Sequence, residues 1–312
     1  MIRYLNNHEI DKQKWDSCIR ESFNGLVYAF SWYLDIVAGE WEALVENDYE
    51  RVFPLIPGKK LGINYLFQAK FTQQLGVFSI NILTEEVVSD FLNAIPEKFK
   101  FAEINLNTFN KVAQGKYKTY KWLNHELDLI NSYTHIFKNY STNLKRNIKK
   151  AEKSGITLNK NVKPDEIIKL FRENRGRKIK TLTEIDYMKL KRLSYMGIYK
   201  GVVQTYGVYT NKNELCAGAI FVRSKNKMIF LFSGLSQEGK DTNAMAYLID
   251  SFIKEYSQHH ITLDFEGSND TNLARFYKSF GSKECYYPHI KINNLSFIVS
   301  PAIKFVKWVR SF

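Results

Sequence analysis

The stretch that decides the fold lies near the C-terminus and reads LDFEGSN over residues 263–269, followed by NLARFYKSFG over residues 272–281. The first part is typical of a short buried strand that ends in carboxylates and a glycine turn, and the second predicts a helix. Ser268 or Asn269 is expected to cap that helix, and Gly281 to close it in the left-handed conformation. Open α/β sheets bind ligands where a strand ends beside a helix start. This stretch is therefore the first candidate for a functional site.

Three side chains in this stretch are candidates for catalysis. Asp264 and Glu266 are two residues apart, so an extended backbone would place both carboxylates on one face. Two carboxylates repel, and burial raises the pKa of at least one of them, as a general base at neutral pH requires. Tyr277 is a candidate proton relay. The structural alternative is that Asp264 caps a helix, Glu266 pairs with Arg275 or Lys278, and the tyrosine belongs to the core.

Composition narrows the class of protein. A chain of 312 residues with 45% hydrophobic and 15% aromatic residues is long and apolar enough for two folded domains. The three cysteines are widely spaced, so we expect a reducing compartment, no disulfide and no metal site. No signal peptide and no apolar run of membrane-spanning length is visible. The expected location is the cytoplasm, with peripheral contact at the inner face of the membrane as an alternative.

Charge is distributed unevenly along the chain. Residues 1–135 carry 14 basic and 17 acidic side chains, whereas residues 136–312 carry 31 and 15. Such a basic half attracts nucleic acid, a phosphate-rich cofactor or an anionic membrane, unless its charges are simply solvated. A basic stripe on a predicted helix, formed by Lys145, Arg146, Lys149 and Lys150, is the candidate site for an anionic ligand.

The second half has a pattern of helix and strand signals in the order β-α-α-β-β-β-α-β-α-β. The pattern predicts helices at 143–153, 164–175, 183–196, 243–256 and 269–280, and strands at 156–158, 202–209, 215–222, 228–233, 261–265 and 285–292. Ser141 or Thr142 is expected to open the first of these helices, Pro164 to lie in the first turn of the second, and Thr183 to cap the third. A loop is expected at 234–242, and a helix stop at Gly197. This order predicts an α/β (α+β) fold in which a mixed, mostly antiparallel sheet is flanked by helices.

The first half has a similar order of elements without a sequence repeat. It predicts helices at 11–23, 31–37 and 84–95, and strands at 41–45, 51–55, 65–67, 101–106, 117–123 and 126–130, with a polar linker at 131–139. The predicted domains are 1–135, 136–300 and a C-terminal amphipathic helix at 301–312. That last helix carries apolar side chains on one side and basic ones on another, so it either docks on the protein or lies on a membrane.

Three segments of the second half resemble the GNAT superfamily, and more specifically the double-GNAT proteins related to the FemAB aminoacyltransferases. They are the basic helix and its glycine turn at 140–156, the strand end at 232–234 with the helix after Asn243, and the strand–helix pair at 264–281. The resemblance covers residues 140–292; in the first half only the element order and the loop Gln73-Gln74-Leu75-Gly76 match. It implies two tandem GNAT-like domains, of which the N-terminal one is degenerate and the second is catalytic.

The same resemblance implies a site for an acyl donor. Backbone N–H groups at a bulge near Ser233 and Gly234 would bind the oxyanion, and Lys278 would anchor the donor. The loop that cradles the pyrophosphate of coenzyme A in GNAT enzymes corresponds here to QEGKDTNA at 237–244. Gln237, Gly239 and Asn243 fit a donor site, but Lys240 and Thr242 stand where small residues belong.

The sequence therefore predicts an N-acyltransferase or aminoacyltransferase that acts on an amine acceptor, either a small molecule or a lipid-linked cell-envelope precursor. We expect no tightly bound cofactor, and either acyl-CoA (acetyl-CoA) or aminoacyl-tRNA as the donor co-substrate. No DNA partner is expected. The alternative function is a non-catalytic GNAT-fold module that binds RNA or anionic lipid through its basic face.

Overall fold

A computed structural model describes residues 1–115, 117–267 and 269–294. The helices of these residues are α1 (Lys12–Glu21), α2 (Ser31–Val37), α3 (Glu85–Asn93), α4 (Tyr133–Lys138), α5 (Thr142–Glu152), α6 (Pro164–Glu173), α7 (Glu184–Tyr199), α8 (Gln237–Asp241), α9 (Ala244–Tyr256) and α10 (Thr271–Lys278). The predicted C-terminal helix at 301–312 and the capping candidate Ser268 lie outside the described residues.

The strands alternate with these helices. They are β1 (Ile2–Leu5), β2 (Glu42–Glu46), β3 (Arg51–Leu55), β4 (Pro57–Lys60), β5 (Ile63–Leu66), β6 (Phe78–Ser79), β7 (Phe99–Asn105), β8 (Lys118–Asp128), β9 (Thr157–Lys160), β10 (Val203–Tyr209), β11 (Leu215–Ser224), β12 (Lys227–Leu235), β13 (Thr262–Asp264) and β14 (Lys283–Asn293). The predicted mixed α/β fold class is confirmed.

Contacts divide the described residues into two compact units. Unit 1 comprises residues 1–25, 29–121 and 287–294, and unit 2 comprises residues 26–28 and 122–286. The predicted domain boundary at residues 135 and 136 stays a prediction, because a unit is a set of contacting residues rather than a demonstrated folding domain.

Unit 1 contains two sets of paired strands. Strands β1, β2, β3 and β6 pair antiparallel in that order, while β5 pairs antiparallel with β4 and parallel with β7. The core between α3 and these strands includes Phe53, Phe91 and Ile104. The helix N-termini follow the sequence signals: the side chain of Asp11 caps α1, and that of Thr84 caps α3.

Unit 2 carries the candidate site. Its strands pair in the order β8-β13-β12-β11-β10-β9; β12 and β13 are parallel and the other neighbours are antiparallel. Helix α9 is the crossover between the two parallel strands, and it packs on the sheet through rings such as Phe252, which stacks on Phe221 at 4.0 Å. Ser141 caps α5, and Pro164 occupies the first turn of α6, as predicted.

Three local predictions were wrong. Helix α7 does not stop at Gly197; a Cβ there would lie 2.2 Å from Val203 Cγ2, so this glycine permits close packing on β10. The two strands expected at 117–123 and 126–130 form the single strand β8. The expected polar linker at 131–139 contains helix α4, which is capped by Ser132.

Candidate functional site

The turn after strand β13 is shaped by Asp264. This residue is buried at the end of the strand, where its carboxylate accepts hydrogen bonds from Asn124 Nδ2 at 3.0 Å and from the backbone N–H of Glu266 at 2.9 Å. The chain then turns left-handed at Glu266 (φ 57°) and Gly267 (φ 71°). The extended backbone therefore ends at Asp264. The side chains of Asp264 and Glu266 do not lie on one face of a strand. That prediction was wrong because the backbone is not extended at Glu266.

Asp264 belongs to a buried charge cluster that we define as Glu126, Lys227 and Asp264. Lys227 Nζ lies 3.6 Å from Asp264 Oδ2 and forms a short ion pair with Glu126. Burial raises the pKa of Asp264, and the ammonium group of Lys227 opposes that rise. The carboxylate is thus committed to Asn124, to the turn and to Lys227. Asp264 holds the turn in place, and it does not cap a helix; Asp270 caps α10 instead of the predicted Ser268 or Asn269.

Glu266 is the carboxylate that remains available. Its side chain is half-buried, and one carboxylate oxygen accepts a short hydrogen bond from the hydroxyl of Tyr28. Burial raises the pKa of Glu266 to about 8, the charge of Asp264 adds to the rise, and the Tyr28 hydroxyl opposes it. Among the described residues, Glu266 does not form the ion pair with Arg275 or Lys278 that the structural alternative had expected. A carboxyl group that titrates near neutral pH at a partly accessible position is suited to proton transfer.

Tyr277 lies beside Glu266 and packs on the turn. Its ring stacks on Phe265 with centroids 4.7 Å apart. The ring is buried, so it belongs to the core, as the structural alternative expected. Its hydroxyl has no hydrogen-bond partner among the described residues. Burial raises the pKa of Tyr277 to about 12; the charge of Glu266 adds to the rise and the guanidinium of Arg175 opposes it. The tyrosine therefore stays protonated at neutral pH and can donate a proton but not accept one.

Two further side chains lie near Glu266 and Tyr277. Arg175 lies in the short 3-10 turn Arg175–Lys178 after α6, and its Nη2 is 4.0 Å from Asp270 at the start of α10. His125 on β8 is fully buried with its ring 6.1 Å from that of Tyr277, and neither ring nitrogen has a hydrogen-bond partner among the described residues. Burial lowers the pKa of His125, so its imidazole is neutral.

Two residues near Glu266, Tyr28 and Arg175, could not be predicted as site residues from local sequence signals. Tyr28 is 238 residues from Glu266 along the chain, and it belongs to the short segment 26–28 that packs with unit 2. Val27 in the same segment donates its backbone N–H to Ser224 Oγ at 2.8 Å, which fixes the segment to β11. Arg175 follows helix α6, so its position near Tyr277 depends on how α6 packs.

The predicted oxyanion site at Ser233 and Gly234 lies inside strand β12. These residues pair with Ala219 and Gly218 of β11, and a Cβ on Gly234 would lie 2.7 Å from the backbone oxygen of Ile167. The glycine therefore permits α6 to pack on the sheet. The register of β11 against β12 shifts earlier, so the bulge is at Leu231 rather than at Gly234.

The parallel strands next to this bulge separate early. Strand β12 pairs with β13 only from Lys227 to Ile229, because β13 ends at Asp264 while β12 continues to Leu235. The last residues of β12 thus extend past the turn that carries Glu266. Lys278, the predicted donor anchor, forms an ion pair with Glu284 at 2.9 Å.

The predicted phosphate loop is the short helix α8. Ser236 caps it, accepting the N–H of Gly239 at 3.0 Å on its side chain and the N–H of Lys240 at 3.1 Å on its backbone oxygen. The N–H groups of Thr242 and Asn243 also bind carbonyl oxygens of this segment. Gly239 is required because a Cβ would lie 2.2 Å from Cys216 O. The N–H groups of Gly239, Lys240, Thr242 and Asn243 are therefore already bound, and donor binding by the loop at 237–244 stays a prediction.

The remaining donor-site predictions have ordinary structural contacts. Gln237 Nε2 donates to Asp241 Oδ1 at 3.0 Å, and Asn243 adopts the left-handed conformation that starts α9. In the basic stripe on α5, Lys145 and Lys150 donate to the carbonyl oxygens of Lys138 and Asp241, Arg146 donates to Asn143, and Lys149 is exposed. Anion binding by this stripe stays a prediction.

The described residues contain no group of His, Cys, Asp and Glu side chains that could hold a metal ion. None of their helices combines the length and apolar character needed to cross a lipid bilayer.

Comparison with solved structures identifies the fold. The chain is similar to FemX, with a TM-score of 0.67 and 14% identity over 97% of this chain and 99% of that chain. It is also similar to L-PGS from Bacillus licheniformis (TM-score 0.55, 12% identity, 93% and 94% covered) and to a conserved protein of unknown function from Bacteroides thetaiotaomicron VPI-5482 (TM-score 0.60, 9% identity, 93% and 99% covered). Neither family models nor curated proteins match the sequence.

The expected resemblance is confirmed at the level of the fold. The chain has a fold like that of FemX over almost its whole length.

Proposed function

We propose that this protein transfers an acyl or aminoacyl group to an amine, with Glu266 as the general base. The single observation that carries the proposal is the position of this carboxyl group: half-buried on a left-handed turn, bound by Tyr28, with its pKa raised to about 8. The similarity of the fold to FemX and L-PGS supports the same reaction class.

Each group of the cluster has a role in this reaction. The amine nitrogen attacks the donor carbonyl and forms the C–N bond, and its proton passes to the carboxylate of Glu266. The tetrahedral intermediate then expels the oxygen or sulfur of the donor, which takes a proton from Tyr277. Glu266 passes the proton that it took from the amine to Tyr277, and both groups return to their starting states. The guanidinium of Arg175 is suited to stabilising negative charge on the oxyanion or the donor. The reaction balances without a metal or a redox cofactor.

The donor is the second part of the proposal. Acyl-CoA and aminoacyl-tRNA are the alternatives, and we infer that aminoacyl-tRNA is the donor because the N–H groups of Gly239, Lys240, Thr242 and Asn243 are already hydrogen-bonded within the chain. The basic side chains of α5 are suited to contacts with tRNA phosphates. The acceptor is an amine of a small molecule or of a lipid-linked precursor.

The test measures donor binding and transfer separately. Filter binding compares aminoacylated with deacylated tRNA, and calorimetry measures binding of acetyl-CoA. Transfer is followed as radiolabel that moves from tRNA to a non-tRNA product when a total cell extract supplies the acceptor. Glu266→Gln should reduce transfer by about 10²- to 10⁴-fold and leave donor binding unchanged. The matched control is Glu238→Gln, which removes an exposed carboxylate on α8.

Two results would contradict parts of this proposal. Binding of acetyl-CoA without binding of aminoacyl-tRNA would show that the donor is acyl-CoA. The proposed reaction class would be unaffected. Absence of both kinds of binding, or full transfer by Glu266→Gln, would remove the catalytic proposal. RNA binding that is lost on neutralising the α5 stripe and is unaffected by Glu266→Gln would then support the non-catalytic module.

A further inference from the structure

Helix α7 exposes an apolar stripe that the transfer reaction does not use. Its members recur at helical spacing, so they share one face of the helix. They are Ile185, Met188, Tyr195, Ile198 and Tyr199, which we call the α7 stripe. Ile185 is 60% exposed, Met188 61% and Tyr199 86%. Exposed apolar side chains scattered singly are ordinary, but a row along one 16-residue helix indicates a surface that something covers.

The surroundings of the stripe are strongly basic. Residues 169–200 contain ten basic and three acidic side chains. The acidic ones are bound: Glu173 pairs with Lys169, Glu184 pairs with Arg172, and Asp186 accepts from Thr183 in the cap of α7. The exposed cations Arg177, Lys178, Lys180 and Arg192 form no ion pair among the described residues.

A groove adjoins the stripe between α6 and α7. Its volume is about 550 Å³, and Met188 lines it together with Arg172, Arg177 and Tyr187. The guanidinium of Arg172 lies over the Tyr187 ring at 4.6 Å. Asp165, Glu173 and Glu184 also line the groove, and each of them is paired with a cation, whereas Arg177 forms no ion pair among the described residues. The groove therefore offers one unpaired arginine beside apolar surface, which suits a phosphate group attached to a hydrocarbon chain.

We propose that the α7 stripe and the cations around it dock this protein on an anionic lipid bilayer. The apolar side chains would enter the boundary between headgroups and acyl chains, while the cations would bind lipid phosphates. A second copy of the chain is disfavoured as the occupant, because it would bring the same positive charges into contact. RNA is disfavoured because it would bind the cations and leave the apolar stripe in water.

The experiment is co-sedimentation of the full chain with vesicles, using phosphatidylcholine alone or with about 30% phosphatidylglycerol. We expect binding to the anionic vesicles, little binding to the neutral ones, and weaker binding as salt is raised. The triple variant Ile185→Ser, Met188→Ser and Tyr199→Ser should reduce the partition coefficient by about tenfold or more. Because these three side chains are exposed, the variant should have the same thermal unfolding midpoint as the unmodified chain.

The matched control removes three exposed apolar side chains elsewhere: Leu61→Ser, Ile82→Ser and Ile130→Ser. It should bind the vesicles as the unmodified chain does. A charge variant, Lys178→Gln, Lys180→Gln and Arg192→Gln, should bind more weakly and with less dependence on salt.

Three outcomes would overturn the proposal. The first is no binding to anionic vesicles, and the second is binding that the α7 substitutions leave unchanged or that the control reduces equally. The third is a dimer in sedimentation velocity that the α7 substitutions convert to a monomer, because the stripe would then be an interface between copies. None of these outcomes bears on Glu266, so the transferase proposal is tested independently.

Discussion

Replacing Glu266 by glutamine should change how the stability of the protein depends on pH. In the folded chain the pKa of this carboxyl group is raised to about 8, against 4.5 for an ordinary glutamate. Between these two values the folded state binds more protons than the unfolded state. The contribution of Glu266 to stability is therefore complete below pH 4.5 and is lost as the pH rises through 8. Glutamine has no proton to lose, so this loss disappears.

The size of the effect follows from the two pKa values. The separation between 4.5 and about 8 corresponds to roughly 4 to 5 kcal/mol at about 1.36 kcal/mol per pKa unit. Relative to the unmodified chain, Glu266→Gln should therefore gain about this much unfolding free energy between pH 5 and pH 9.

Urea unfolding followed by tryptophan fluorescence measures this difference at each pH. The contributions of groups that do not interact with Glu266 are common to both proteins and cancel in the comparison. Glu238→Gln, at an exposed position on α8, is the control and should show no pH-dependent difference. A difference between Glu266→Gln and the unmodified chain that stays constant from pH 5 to pH 9 would refute the raised pKa.

Three more predictions follow from the same contacts. Tyr28→Phe removes the hydroxyl that stabilises the Glu266 carboxylate, so the acidic limb of the transfer rate against pH, where the rate rises as Glu266 loses its proton, should move up by about one pH unit; an unchanged limb would contradict this role. Gly239→Ala places a Cβ against the carbonyl oxygen of Cys216 and should cost about 1–3 kcal/mol in urea unfolding, whereas an open loop at 234–242 would tolerate it. Lys227→Met leaves two carboxylates without their cation and should destabilise the protein by about 3–5 kcal/mol at pH 7, with part of the loss recovered at low pH; a loss independent of pH would indicate packing alone.

Much of the fold could be predicted from local sequence signals. The caps at Ser141 and Thr183, Pro164 in the first turn of α6, and the left-handed Gly281 each lie where the sequence indicated. Capping and turn residues act within a few positions of themselves, so a single sequence contains them. The antiparallel hairpins of β10, β11 and β12 follow for the same reason.

The geometry of the candidate site could be predicted only in part. Asp264, Glu266 and Tyr277 do cluster around one turn, but the expected extended backbone fails at Glu266, where the Asp264 carboxylate holds a left-handed turn. The partner of Glu266 comes from Tyr28, at a separation that no local pattern spans. Gly197 was mistaken for a helix stop because a glycine selected for close packing and one selected for its backbone conformation look alike in sequence.

The account depends most on the proton affinity of Glu266, which carbon-13 NMR measures directly. The side-chain carboxyl resonance of Glu266 can be assigned as the one missing from Glu266→Gln and followed from acid to alkaline pH. The account predicts a titration midpoint near pH 8. A midpoint near the ordinary value of 4.5 would contradict it, because the carboxyl group would then be a solvated surface charge.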